Sequence, residues 1–166
     1  GGTSAAPVWC LGRNTGSGFA DPVPWWAPYP SLRTTTERSG ASYVDRDLVD
    51  MNNDGLLDWV DSGPWSESAP YWDVYWNTGT GFTTEATQIA APPSDRIMAS
   101  HKLGNSSYLY RGLIDMNGDG LPDFVNASIA TWPDNNPQIS VYSPQTGSED
   151  YWLVYLNTGS GFELTG

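Results

Sequence analysis

The stretch Asp50–Val60 reads D-M-N-N-D-G-L-L-D-W-V, and it returns at Asp115–Val125 as D-M-N-G-D-G-L-P-D-F-V. In the first copy oxygen-bearing side chains stand at loop positions 1, 3, 5 and 9 (Asp50, Asn52, Asp54 and Asp58), with Gly55 at position 6. Asp115, Asn117, Asp119, Asp123 and Gly120 repeat that layout. The flanks Leu48-Val49 and Trp59-Val60 are strand-like, so the element is a strand, a glycine-turned acidic loop and a second strand. Its recurrence makes the chain a repeat, which constrains the fold before any single element is assigned.

A second motif alternates with the first. It closes at Phe19 as V-W-C-L-G-R-N-T-G-S-G-F, at Phe82 as W-D-V-Y-W-N-T-G-T-G-F and at Phe162 as W-L-V-Y-L-N-T-G-S-G-F. Asn14 to Asp50 is 36 residues and Asn77 to Asp115 is 38, whereas Asp50 to Asn77 is 27 and Asp115 to Asn157 is 42. One connection is therefore fixed and the other free to grow. The growth falls at 126–150, a Pro- and aromatic-bearing insert that reads as a long loop with a short strand at Gln138–Tyr142.

Trp72, Val74 and Trp76 alternate with Tyr71, Asp73 and Tyr75, a period of two rich in aromatic and β-branched residues, as in a strand. Tyr151–Leu156 is apolar on both faces, as in a strand covered on both sides. Asn-Thr-Gly-x-Gly then supplies residues that tolerate positive φ, so the chain reverses tightly. Units of about 65 to 80 residues made only of short strands and hairpins fit β-propeller blades, whose stacking covers both faces of each sheet. The competitors are a β-sandwich, which has no reason to repeat its sequence, and a solenoid, whose coils are usually shorter.

The expected organisation is all-β: residues 1–40 the C-terminal half of a blade plus linker, 41–95 a first full repeat, 96–166 a second. Together these form one repeat domain. Two acidic loops and three N-T-G turns fall short of the four to eight blades a propeller needs. The expectation is thus an incomplete propeller or a fragment, completed by neighbouring blades of the same or other chains. Unpaired strand edges favour a homo-oligomer or fibre.

Composition narrows the partners. The 166 residues carry 19 acidic against 7 basic side chains, a formal charge of −12. Nucleic acid and anionic lipid need a Lys/Arg footprint that this chain lacks; cations are favoured instead. Aromatic residues make up 13% of the chain, far too many for a disordered acidic tail. One cysteine, Cys10, excludes an internal disulfide, and with one histidine, His101, no Cys/His zinc cluster can form. No apolar run is long enough for a membrane span. The start at Gly1, without a signal-like segment, fits a mature product or a piece of a larger chain.

The oxygen pattern points to calcium, two sites in all. Ca²⁺ takes six to eight hard oxygen ligands, and a tight loop can aim alternate side chains and one backbone carbonyl at one centre. The carbonyls would be those of Leu56 and Leu121. Asp, Asn and Gly also build plain polar turns, but the pattern occurs twice at matching places. It is not an EF-hand: position 12 is Asp61 or Asn126 in place of the bidentate Glu, and the flanks are not helical.

With both motifs in view, D-x-N-x-D-G-L-x-D followed by V-Y-x-N-T-G-x-G-F resembles the FG-GAP/VCBS-type repeat of integrin-α-like β-propellers. The stretch N-T-G-S-G-F-A-D-P-V-P-W at Asn14–Trp25 is similar to the variant in bacterial Rhs/YD-repeat proteins and the Tc toxin B component. The resemblance implies calcium loops on the eight side chains named above. It also implies a binding, scaffolding or gating role in a secreted or cell-surface, toxin-related bacterial assembly, and no catalysis.

A carbohydrate-binding propeller is the alternative, because indole rings stack on sugars. Trp9, Trp59, Trp72, Trp76 and Trp152 lie in repeat strands and read as core. Trp25, Trp26, Trp65 and Trp132, beside prolines in loops, are the candidate glycan contacts. His101 reads as a loop histidine without a nucleophile motif, and Cys10 as a small core hydrophobe. Asn105 and Asn126 head glycosylation sequons that, in a bacterial protein, read as ordinary polar loop residues.

Overall fold

The computed structural model describes residues 8–38, 40–94, 96–103, 105–127 and 152–165. Among them every regular element is a strand, and no helix is long and apolar enough to cross a membrane. The expected strand at Gln138–Tyr142, most of the 126–150 insert and Trp132 lie outside the described residues.

β1 (Val8–Leu11) and β2 (Val23–Trp26) form an antiparallel pair across the first N-T-G turn. The other strands make one sheet. β3 (Thr34–Arg38) and β4 (Ala41–Val49) form a hairpin, followed by β5 (Asp58–Asp61), β6 (Tyr71–Tyr75) and β7 (Thr87–Ala90), each antiparallel to the one before. The pattern then repeats. β8 (Met98–Leu103) and β9 (Ser106–Ile114) form a hairpin, and β10 (Asp123–Asn126), β11 (Leu153–Asn157) and β12 (Phe162–Leu164) follow. Both hairpins carry a register shift, at Thr34/Thr35 and at Ala99/Ser100. The duplication read in the sequence is therefore a duplication of five-strand units.

The two units do not remain separate sheets of four strands. β4 is nine residues long, and its length lets Arg46–Val49 pair with β5 while Ala41–Val44 pair with β8. Backbone hydrogen bonds thus run from one unit into the next, and a parallel bridge between Ala90 and Gly161 brings the ends of the path together. The result is a nearly closed, barrel-like sheet.

Period two decides what is buried. In β6, Trp72 and Val74 are buried while Tyr71, Asp73 and Tyr75 are half-buried. The Trp72 ring meets Phe124 and Phe162 edge-on at centroid distances of 5.9 and 5.4 Å, and its Nε1 donates to the Ser94 carbonyl at 2.9 Å. This core is shared by both units. A second core joins β1–β2 to the first unit, where Trp9 meets Trp59 and Phe82 at 5.8 and 5.6 Å. Burying each such ring contributes about 1.5–3 kcal/mol.

Several sequence expectations change here. Trp25 and Trp26 are in β2, not a loop, and Trp25 is buried in the second core, because pairing with β1 turns it toward Trp59. Trp152 is exposed instead of core, lying just ahead of β11. β11 itself is only half-covered over Leu153–Leu156. His101 is a strand residue in β8, between Ala41 and Tyr108, and Cys10 is exposed on β1.

Candidate metal centre

The acidic loops are the β4–β5 and β9–β10 connections, and both are curled by hydrogen bonds onto their own backbone, differing in one bond. Asp50 accepts the Asp54 and Gly55 N–H groups at 3.2 and 2.9 Å; Asp115 accepts those of Gly118 and Gly120 at 2.7 and 3.0 Å. Asn52 accepts the Asp54 N–H at 3.1 Å and Asn117 that of Asp119 at 2.9 Å, while Asp54 and Asp119 each accept the Leu N–H two residues on at 2.8 Å. Such Asx turns are what Asp and Asn side chains do locally. The chain can curl this tightly because Gly55 and Gly120 take φ of 83° and 88°, a region costly for side-chain-bearing residues. Asn53 occupies the same left-handed region at 59°.

Position 9 differs from the rest. Asp58 and Asp123 have 0% exposure, whereas positions 1, 3 and 5 are mostly open to solvent. Each buried carboxylate holds two backbone donors. Asp58 accepts Met51 N–H at 3.0 Å and Asn77 N–H at 2.9 Å; Asp123 accepts Met116 N–H at 2.8 Å and Asn157 N–H at 2.9 Å. The acidic loop and the N-T-G turn of one unit are thereby tied by one side chain, a link the sequence did not announce. Burial raises the Asp58 pKa above the usual carboxylate value, the two backbone N–H groups oppose that shift, and the charges of Asp54 and Asp50 add to it.

The two loops are also neighbours. Asn157 Nδ2 donates to the Met51 carbonyl at 3.1 Å, so a hydrogen-bonded path runs from Asp58 through Met51 and Asn157 to Asp123 and Met116. The equivalent Asn77 bonds within its own unit, to the Leu57 carbonyl at 3.0 Å. The Asn53 side chain reaches Gly120, filling the space a Cβ there would need. Leu57 and Met116 are exposed beside the loops.

Each loop gathers hard oxygens and no nitrogen or sulfur ligand, the donor chemistry of Ca²⁺. Asp50, Asn52 and Asp54 carry these oxygens in one loop and Asp115, Asn117 and Asp119 in the other. Among the described residues no group of three or more His, Cys, Asp or Glu side chains stands in a metal-holding arrangement. The carboxylates are turned onto backbone N–H groups, and each oxygen so engaged keeps a further lone pair.

The aromatic candidates are more dispersed. Trp25 is core, Trp26 is half-buried at 6.4 Å from the Tyr75 ring, and Trp65 packs against the first core with its Nε1 buried and without a partner among the described residues. Among the described residues no ring contact joins Trp65 to Trp25 or Trp26. No family model, no curated protein and no solved structure matches this chain.

Proposed function

We propose that this chain is a calcium-binding structural and interaction module, in which each five-strand unit is the counterpart of a propeller blade and each acidic loop holds one ion. The observation that carries the reading is the duplicated loop: the same oxygens, the same Asx turns and the same buried aspartate at position 9, in both units. A loop already curled by its own hydrogen bonds loses little freedom on taking up an ion. Three carboxylates drawn to one centre would repel each other, and the charge of Ca²⁺ would offset that repulsion.

In this role Asp50, Asn52, Asp54, Asp58 and the Leu56 carbonyl would hold one ion, and Asp115, Asn117, Asp119, Asp123 and the Leu121 carbonyl the other. The ion supplies charge neutralisation and cross-linking of the loop. The chain's own residues bind it and transmit the constraint to the N-T-G turns through Asp58 and Asp123. Loops of modest affinity suit the calcium levels met by extracellular modules, in keeping with a secreted or surface-borne bacterial assembly and a scaffolding role without catalysis. Glycan binding has less support, since Trp25 is buried and Trp26 and Trp65 are half-buried.

The test is a thermal melt in excess Ca²⁺ and in chelator. A site occupied at a hundred times its Kd adds about 2.7 kcal/mol, so the transition should fall by several degrees on chelation. An Asp54→Asn, Asp119→Asn double variant should lose most of that response. A transition that chelator leaves in place would overturn the calcium assignment.

A further inference from the structure

The N-T-G-x-G-F turns are three copies of one conformation with two different fates. In each, Asn Oδ1 accepts the Gly N–H two residues on, at 2.9, 2.9 and 2.8 Å for Asn14, Asn77 and Asn157. The Thr N–H then closes the turn on the second glycine's carbonyl, at 2.9, 2.8 and 2.9 Å. Yet Phe82 and Phe162 are 7% and 8% exposed, while Phe19 is 77% exposed. Since the turns are alike, the difference comes from what lies against them.

What lies against the buried ones is the closing hairpin of the preceding unit: the Phe82 ring meets Trp9 of β1 at 5.6 Å and the Phe162 ring meets Trp72 of β6 at 5.4 Å, while the last strand supplies a backbone contact. Phe82 N–H donates to the Trp26 carbonyl of β2 at 3.4 Å, and Gly161 bridges Ala90 of β7 in parallel fashion. Trp26 and Ala90 are equivalent positions, because they pair with Val8 and Tyr71, each six residues before its turn asparagine. The second glycine is where the strand approaches: a Cβ on Gly161 would come within 2.7 Å of the Ala90 Cβ, and one on Gly81 would sit 3.9 Å from the Trp26 carbonyl oxygen. Among the described residues a Cβ on Gly18 would meet nothing within 4 Å.

We propose that the Gly18–Phe19 end of the first turn is a docking edge for the closing hairpin of another unit of this repeat, a hairpin of the kind that β6 and β7 present to Phe162 and Gly161. The recognition chemistry is that of the two internal contacts, namely a backbone contact to the last strand, its approach over the glycine, and packing of the phenylalanine ring against the tryptophan of the strand before it. Main-chain pairing of this sort is how strand-addition sites bind. The proposal extends the interaction half of the function given above, and it stands on turn geometry that owes nothing to calcium.

The probe is a fluorescently labelled synthetic peptide of residues 69–92, which spans the β6–β7 hairpin with Trp72 and Ala90, titrated into the full chain with fluorescence polarisation in Ca²⁺ and again in chelator. The expected result is saturable binding that a scrambled peptide of the same composition does not show. Gly18→Val and Phe19→Asp should each weaken it at least tenfold while leaving the circular dichroism and melting transition of the chain unchanged, since both sites are open. Absence of saturable binding, equal binding by the variants, or equal binding of the scrambled peptide would overturn the proposal. A melt that responds to Ca²⁺ beside a peptide that fails to bind would remove this inference and leave the calcium reading standing.

Discussion

The turn ending at Phe162 and the turn ending at Phe19 share the sequence N-T-G-S-G-F and the same internal hydrogen bonds, yet one ring is core and the other is bare. Two supports separate them. Asn157 is fastened from below by Asp123 and in turn fastens Met51, and Gly161 lies against Ala90 from the side. Asn14 and Gly18 have neither contact among the described residues, where a Cβ added to Gly18 would meet nothing within 4 Å. A local motif therefore fixes how the chain turns, but the neighbouring unit fixes whether the turn contributes to the core.

The sharpest way to break the comparison is to truncate both rings. Phe162→Ala should cost about 3–5 kcal/mol in a urea melt, the usual range for emptying an aromatic core site. Phe19→Ala should fall within about 0.5 kcal/mol of the parent, as exposed substitutions do. Comparable losses at the two positions would mean that Phe19 is covered in solution.

Removing the support beneath the turn should cost somewhat less. Asp123→Ala strips the acceptor from Met116 N–H and Asn157 N–H, and leaving buried donors unsatisfied predicts a loss of about 3 kcal/mol. Hydrogen exchange would locate the damage: protection should fall at Met116 and Asn157 and persist in β6. If exchange instead accelerates throughout the sheet, the aspartate serves more than this one turn.

The lateral contact is tested by adding a single methyl group. Gly161→Ala must push against Ala90 and should destabilise by about 1–3 kcal/mol, the range for overpacking. Gly18→Ala meets nothing and should leave the melt within about 0.5 kcal/mol. Equal effects would place the strain in the turn itself.

The smallest expected effect concerns pH in chelator. Burial holds the folded-state pKa of Asp58 above its ordinary value, so the folded chain binds this proton more tightly than the unfolded one. The resulting stabilisation is complete below the ordinary carboxylate pKa, and it is lost as pH rises through the folded value. Stability of the parent, compared with Asp58→Asn across that interval, should decline with the steeper slope. A flat difference would show that the N–H groups of Met51 and Asn77 fully offset the desolvation.

Much of this was legible in the chain. The alternation of Trp72 and Val74 with Tyr71 and Asp73 gave β6 and its buried face, and the spacing of Asp50, Asn52, Asp54 and Gly55 gave the curl of the loop. The unit boundaries were less so, because the extra length of β4 lets it pair forward with β5 and across to β8, and nothing in A-S-Y-V-D-R-D-L-V states that division. Trp25 was misplaced because prolines on either side of Trp-Trp signal a loop, whereas pairing with β1 made a strand. The tie from Asp58 to Asn77 spans 19 residues and that from Asp123 to Asn157 spans 34, so no fixed spacing could announce it.

The sequence by itself determined the all-β character, the duplication, and the tight curl of the N-T-G turns and acidic loops, because these rest on φ preferences, period-two patterning and hydrogen bonds between residues a few positions apart. Only the tertiary structure decided which aspartate is buried, which asparagine reaches across to the other unit, and which of three identical phenylalanine turns is covered. Those outcomes depend on surfaces supplied by residues distant in the chain, and burial is a property of the neighbour as much as of the residue.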